Sequence, residues 1–348
     1  MKKTLLALAV LASFAGAASA QTSVTVYGVA DAGIVREIGA PAGSVWKLGT
    51  GIQSGNRLGF KGTEDLGSGL KANFQLEAGF NLDTGTGRQG ALFGRQAFVG
   101  LSGGFGAVNF GRQYTPFFIA MDLLDPFDYG LLGANTNIIN SGTLRVNNSI
   151  QYSSVNMGGF SASVLYGLGE QAGAISQGST TDLALTYANG PLAVYAAYDY
   201  QKLPATLAAI TPATPITVQK LALVGATYDF GPAKAHLAYE TEKNDLTMDF
   251  RDILVGVTVP FGASTILASF TDKKDKSAAG NAGAKQYAIA YTYALSKRTN
   301  LYTSYGHIRN KGANSNAYIG DASNGGLDSL GNPTGNTGAF AVGVRHKF

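Results

Sequence analysis

The stretch Lys71-Ala72-Asn73-Phe74-Gln75-Leu76-Glu77-Ala78-Gly79-Phe80-Asn81 decides the fold. In an extended chain Ala72, Phe74, Leu76, Ala78 and Phe80 fall on one face, and Lys71, Asn73, Gln75, Glu77, Gly79 and Asn81 on the other. A strand built this way cannot be buried on both sides. The same alternation recurs along the chain. In 286–295, Tyr287, Ile289, Tyr291, Tyr293 and Leu295 lie opposite Gln286, Ala288 and Thr292. In 233–242, Leu237 and Tyr239 lie opposite Lys234, His236, Glu240 and Glu242.

The segments between strands alternate in length. Tight turns rich in Gly, Pro, Asn and Ser fall at 63–69, 102–105, 154–159, 189–191, 230–232, 260–262 and 295–297. Longer polar loops fall near 36–52, 81–92, 113–143, 169–180, 201–217, 243–249, 273–284 and 309–337. Seven turns and eight loops make fifteen connections, hence sixteen strands with both termini at one rim. Short turns at one rim and long loops at the other are the pattern of a transmembrane barrel. The expected fold is therefore all-β: a sixteen-stranded antiparallel transmembrane β-barrel. Closure removes the sheet edges and satisfies every backbone group, as hydrocarbon demands. Sixteen strands leave an aqueous lumen. A secreted β-sandwich or propeller is the alternative, but it would not set Tyr, Phe and Leu against Lys, Glu, Gln and Asp on nearly every strand.

Composition agrees. The 348 residues include 47 Gly, 17 Tyr and 18 Phe but one Trp and no Cys, and only 14% are charged, below the roughly 25% of soluble domains. Lys2 and Lys3, the mainly apolar run Leu5 to Ala15 and the small residues Ala18-Ser19-Ala20 read as a secretory signal over 1–20. Cleavage near Ala20 leaves 21–348 as the barrel. Of 26 Lys and Arg, removal of Lys2 and Lys3 leaves 24, against 22 Asp and Glu. That balance gives no reason to expect a nucleic-acid partner.

One connection stands apart. About thirty residues separate Arg112 from Leu144, and loops of that length in compact structures are usually functional or disordered. Pro116, Phe117, Phe118, Ile119, Met121, Leu123, Leu124 and Phe127 make it too apolar for solvent, and Asp122, Asp125 and Asp128 punctuate it. It reads as a third long loop folded into the lumen, its apolar side on the wall and its carboxylates toward water. An outer lid or intersubunit contact is the other reading. Three arginines suit the facing wall. Arg57 alternates with Leu58 and Phe60; Arg95 stands opposite in phase to Phe98; Arg145 precedes Asn147, Ser149 and Gln151, with Ile150 and Tyr152 on the other face. An Arg facing lipid costs roughly 2–4 kcal/mol at the midplane, so the lumen is the expected side.

The motifs Asn56-Arg57-Leu58-Gly59-Phe60-Lys61-Gly62, Gly94-Arg95-Gln96-Ala97-Phe98-Val99-Gly100-Leu101, Gly111-Arg112-Gln113-Tyr114 and Arg145-Val146-Asn147-Asn148-Ser149-Ile150-Gln151-Tyr152, with Val26-Tyr27-Gly28 near the start and Phe348 at the end, resemble the general trimeric porins of Gram-negative outer membranes, and more closely those of β-proteobacteria. The resemblance spans the mature chain. It implies a trimeric barrel of the outer membrane whose third loop narrows the pore, with Arg57, Arg95 and Arg145 on the basic wall and Asp122 at an acidic position of the loop. The chain departs from the family where Asp125-Pro126-Phe127-Asp128 replaces a Pro-Glu-Phe pattern, and Val29 stands where some relatives carry a further basic residue.

The expected function is passive diffusion of ions and small hydrophilic solutes, with a weak to moderate preference for anions. A channel specific for an anionic metabolite or a sugar on the same scaffold is the nearest alternative. A barrel enzyme or a structural barrel is the alternative of another class. No catalytic residue, metal site or cofactor is expected: His236, His307 and His346 lie on separate late strands, and no GxSxG occurs. The expected partners are outer-membrane lipid and lipopolysaccharide, further copies of the chain in a homotrimer, and small ions and solutes.

Overall fold

In a computed structural model, residues 23–38, 44–204, 216–246, 248–278, 280, 282–311, 317, 319 and 337–348 are described. The signal segment 1–20 and much of the loops at 201–217 and 309–337 lie outside them. The strands are β1 (Ser23–Ile38), β2 (Val45–Thr50), β3 (Arg57–Gly67), β4 (Leu70–Gly79), β5 (Gln96–Gly103), β6 (Gly106–Tyr114), β7 (Arg145–Ser153), β8 (Phe160–Gly167) and β9 (Thr180–Asn189). There follow β10 (Leu192–Pro204), β11 (Ile216–Asp229), β12 (Lys234–Asn244), β13 (Asp249–Phe261), β14 (Ser264–Asp275), β15 (Gly283–Ala294), β16 (Thr299–Lys311) and β17 (Thr337–Lys347).

Neighbours in sequence pair antiparallel, and the sheet closes where Val29–Ile38 of β1 meet Gly338–Lys347 of β17. Both β2 and β3 take the other edge of β1, β2 against Ala32–Glu37 and β3 against Ser23–Val29. They are two halves of one stave interrupted at 51–56, so the seventeen strands make the sixteen staves expected. The loop expected at 36–52 is accordingly shorter. Trp46 and Leu48 point outward, and the Arg36 guanidinium lies 5.5 Å from the Trp46 ring centre, which extends the hairpin. The seven tight connections fall at or within the expected stretches, but the first is shorter than 63–69, because β3 stays paired with β4 as far as Gly67. In the two-residue connection after β9, Gly190 sits at φ 56°, in the left-handed region that glycine enters without strain. Phe348 exchanges two backbone hydrogen bonds with Gly28, so the last residue is welded to the first strand.

The barrel is packed inside out. On β15, Tyr287, Ile289, Tyr291 and Tyr293 are exposed on the outer surface, whereas Gln286, Ala288 and Ala290 are buried toward the lumen. On β4, Gln75 and Glu77 face inward, as the alternation required.

The apolar core of the molecule lies in the lumen. The third long loop begins with helix α1 (Pro116–Leu124), capped by Thr115, whose hydroxyl accepts from Phe118 N; Pro116 occupies the first turn, where a missing N–H costs nothing. Two short 3-10 turns follow at Leu131–Gly133 and Asn135–Asn137. Phe117, Met121, Leu124, Leu131 and Leu132 are fully buried against inward Leu221, Leu223 and Leu254, each transfer contributing about 1.5–3 kcal/mol. The wall makes room with glycine: a Cβ on Gly225 would lie 2.6 Å from Leu124 Cδ1, and one on Gly256 2.6 Å from Pro126 Cγ. Buried acids tie the loop down. Asp182 accepts from Phe117 N at the positive end of α1 (2.7 Å), and Glu242 accepts from Asn140 Nδ2 and from Lys273 Nζ (3.0 Å).

Candidate functional site

Between loop and wall lies a water-accessible cavity of about 1000 Å³. Arg57, Arg95 and Arg145 all line it. Arg57 opens β3 directly after the interruption at 51–56. Asp31 pins that segment: its carboxylate accepts from Gln53 N (2.6 Å), Ser54 N (2.7 Å) and Tyr302 OH (2.6 Å), while its own N–H donates to Asn56 Oδ1.

Arg95 reaches the lumen by a different route from the one expected. Phe98 pairs with Gln75 and so belongs to the inner face, not the lipid face. Alternation within β5 therefore does not aim Arg95. The residue precedes the strand, its N–H bonds Glu77 O (3.1 Å), and its Nε donates to Glu77 Oε1 at 2.7 Å. That ion pair is almost wholly buried. Arg145 opens β7 above a bulge, where the β6–β7 register shifts between Gly111 and Gln113; bulges re-aim side chains in this way. Tyr114 joins the two arginines: its hydroxyl accepts from Arg95 Nη2 and from Arg145 Nη2, each at 2.6 Å. Its ring stacks on Phe118 of α1 at 4.8 Å, linking the two arginines to the loop.

The three loop carboxylates part company. Asp122 and Asp128 line the cavity. Burial, reinforced by Asp128 and opposed by Arg57, pushes the Asp122 carboxyl up to about 7. Burial also raises Asp128, against the pull of Arg345, Lys234 and Lys347. Asp125 turns away from the cavity. It caps the C-terminus of α1 and accepts from Phe127 N (3.0 Å) and Asn135 N (2.9 Å), so it serves the loop's own fold. Its carboxyl too is pushed up to about 7 by burial.

Three further cations line the same space: Arg88, Arg345 and Lys347. Arg345 donates to Ser54 Oγ (2.8 Å) and Asn300 Oδ1 (3.0 Å). The signal for the last two was present in the sequence. Val342, Val344 and Phe348 share the outer face, so Arg345 and Lys347 must share the inner one. Of the histidines, His236 sits between Leu124 O and Thr258 Oγ1, a loop-anchoring position.

A model of the Gram-negative porin family matches residues 7–313. An outer membrane porin protein of Bordetella pertussis is 34% identical over the full length of both chains. Among solved structures, the anion-selective porin from Comamonas acidovorans superposes with a TM-score of 0.82 at 31% identity, covering 94% of this chain and 100% of that one. OmpT, an outer membrane protein of Vibrio cholerae in its trimer form, shares the fold alone, with a TM-score of 0.71 at 15% identity over 94% of this chain and 99% of that one. Matched by the family over most of its length and by a relative across all of it, the chain belongs to the Gram-negative porins, channel-forming barrels of the outer membrane.

Proposed function

We propose that this porin is a passive channel favouring small anions, with Arg57, Arg95 and Arg145 as the basic wall of its narrow region and Asp122 and Asp128 facing them. One observation carries the reading: six cations and two carboxylates line the cavity. The guanidiniums stay ionised at any working pH, and their places are set by strand ends and by Tyr114. A transverse field of this kind orients dipolar solutes and biases ion choice. The anion-selective relative from Comamonas acidovorans supports it. The zero-current potential across a planar bilayer in a KCl gradient tests it; a potential of the cation-selective sign would overturn the assignment.

The cations Arg345 and Lys347, beyond the three arginines, favour a second reading on the same scaffold, a channel with a binding station for an anionic metabolite. Chloride conductance that is blocked and saturates with such an anion would favour it over simple diffusion. No enzymatic role is proposed. The protein works as a homotrimer in contact with outer-membrane lipid and lipopolysaccharide. The 81–92 connection, with Leu92 76% exposed, is long enough to latch a neighbour, and the trimeric OmpT shares the fold. Light scattering in mild detergent should give three times the monomer mass, and a clean monomer would refute the trimer. Residues 1–20 are removed on export, which N-terminal sequencing of the mature protein tests.

A further inference from the structure

Helix α1 lies in the lumen, and its side chains divide among three faces. Phe117, Met121 and Leu124 pack on the wall. Phe118 and Asp122 line the narrow cavity. Ile119 and Leu123, one turn apart and so on one face, are 42% and 47% exposed. On β15 the exposed apolar side chains meet lipid; these two meet the water of the lumen.

The wall answers this third face with small residues. Ser163 pairs with Ala184, and Ser161 with Thr186, across β8 and β9. All four point inward, because their neighbours Phe160, Val164, Leu183 and Leu185 are exposed on the outer surface. Between these strands and the helix residues Pro116, Ile119, Ala120 and Leu123 a groove of about 60 Å³ is left open. Ile119 lines both this groove and the narrow cavity, so the surface of α1 runs unbroken from one to the other.

Uncommitted cationic donors stand at the cavity end of that surface. Arg57 lines the cavity and makes no hydrogen bond or ion pair among the described residues. Arg145 commits only Nη2, to Tyr114. Tyr114 holds Arg95 and Arg145 by its hydroxyl and Phe118 by its ring. One tyrosine therefore separates the guanidiniums from the residue next to Ile119. Along the surface the order is cation, aromatic ring, aliphatic pair.

We propose that the channel carries a binding track for small monocarboxylates with an apolar tail. The carboxylate is taken by the arginines; the tail lies over Phe118 and Ile119 and ends in the groove beside Leu123. Charge complementarity holds the head, and removal of hydrocarbon from lumen water drives the tail. A solute with only one of these features engages only one end of the track. The inference rests on the anion-channel reading and deepens it, by naming the class of anion.

The test reads block of the chloride current through the whole channel in a planar bilayer, at slightly alkaline pH and constant ionic strength. The probes are acetate, hexanoate, succinate and hexanamide. Full burial of the four extra methylenes of hexanoate would tighten its block roughly two-hundredfold over acetate, and a tail left half in water should still give at least about tenfold. Leu123→Ser should cut that hexanoate-to-acetate ratio by at least about threefold. Ser161→Leu, which fills the groove from the wall side, should do the same. Succinate, with a second charge in place of a tail, should keep its affinity in both variants. Hexanamide, which lacks the charge, should block more weakly than hexanoate. Equal block by acetate and hexanoate in the parent, hexanamide as strong as hexanoate, or a ratio unmoved in Ser161→Leu would each overturn the proposal. Ser161→Leu alone decides the matter should Leu123→Ser release the loop. A chloride-favouring channel indifferent to tail length sinks the track alone, whereas a reversal potential of the cation-selective sign in a KCl gradient sinks the anion reading beneath it.

Discussion

Replacing Arg57 and Arg95 by Ser should move the channel toward cations by a calculable amount. An ion about 7 Å from a guanidinium in a watery pore gains or loses roughly 0.6 kcal/mol at the dielectric constant of water. Screening at 0.1 M salt leaves roughly 0.3 kcal/mol per charge. Two lost charges disfavour chloride and favour potassium by about 0.6 kcal/mol each, a swing of about 1.2 kcal/mol. That is about eightfold in the chloride-to-potassium permeability ratio. The buried pair of Arg95 with Glu77 supplies the control. Arg95→Ser with Glu77→Gln removes one charge of each sign and should leave the ratio near that of the parent. Both ratios come from reversal potentials in a planar bilayer. If the charge-balanced double variant shifts as far as Arg57→Ser with Arg95→Ser, net charge at this site does not set selectivity and the reasoning fails.

Other outcomes follow from the loop. With the Asp122 carboxyl at about 7, lowering the pH from 8 to 6 protonates it, removes a negative charge from the cavity and should raise anion preference about twofold; Asp122→Asn should flatten that pH profile. Asp125→Ala leaves Phe127 N and Asn135 N without their acceptor, a loss of about 1–3 kcal/mol per buried group, and should make the loop cleavable by protease while the barrel keeps its mobility on gels. Gly225→Val places atoms where Leu124 already sits and should weaken loop docking by about 1–3 kcal/mol, seen as a lower temperature for the loss of loop protection.

Much of this barrel is legible in its sequence because lipid enforces a strict rule. Every outer position of 286–295 must be apolar or aromatic, so alternation exposes the strand, its phase and its ends. The rule weakens where lipid is absent. Phe98 looks lipid-facing by composition, yet it pairs with Gln75 on the inner wall, and Arg95 finds the lumen through Glu77, a contact between distant residues that no periodicity encodes. Strand β2 hides because Val45–Thr50 is short and ends at the interruption over 51–56. Three aspartates within seven residues look equivalent in sequence; which one turns away is decided where α1 ends, at Leu124, leaving Asp125 as its cap. Arg88 sits in a loop without any repeat, whereas Arg345 and Lys347 follow directly from the phase of the last strand.

The docked loop gives this membrane protein a thermodynamic signature of its own. Apolar surface moved between lipid and detergent changes its hydration little, whereas surface moved between water and a dry interior changes the heat capacity strongly. Phe117, Met121, Leu124, Leu131 and Leu132 are buried from the watery lumen and not from lipid. Undocking the loop inside an intact barrel would therefore register in a calorimeter as a separate, low-temperature event with a positive heat-capacity step. The wall, held by its closed ladder of hydrogen bonds, would melt later and with a flatter baseline. The channel thus combines two kinds of stability, a lipid-solvated frame and a water-driven core folded within it, and heat should separate them.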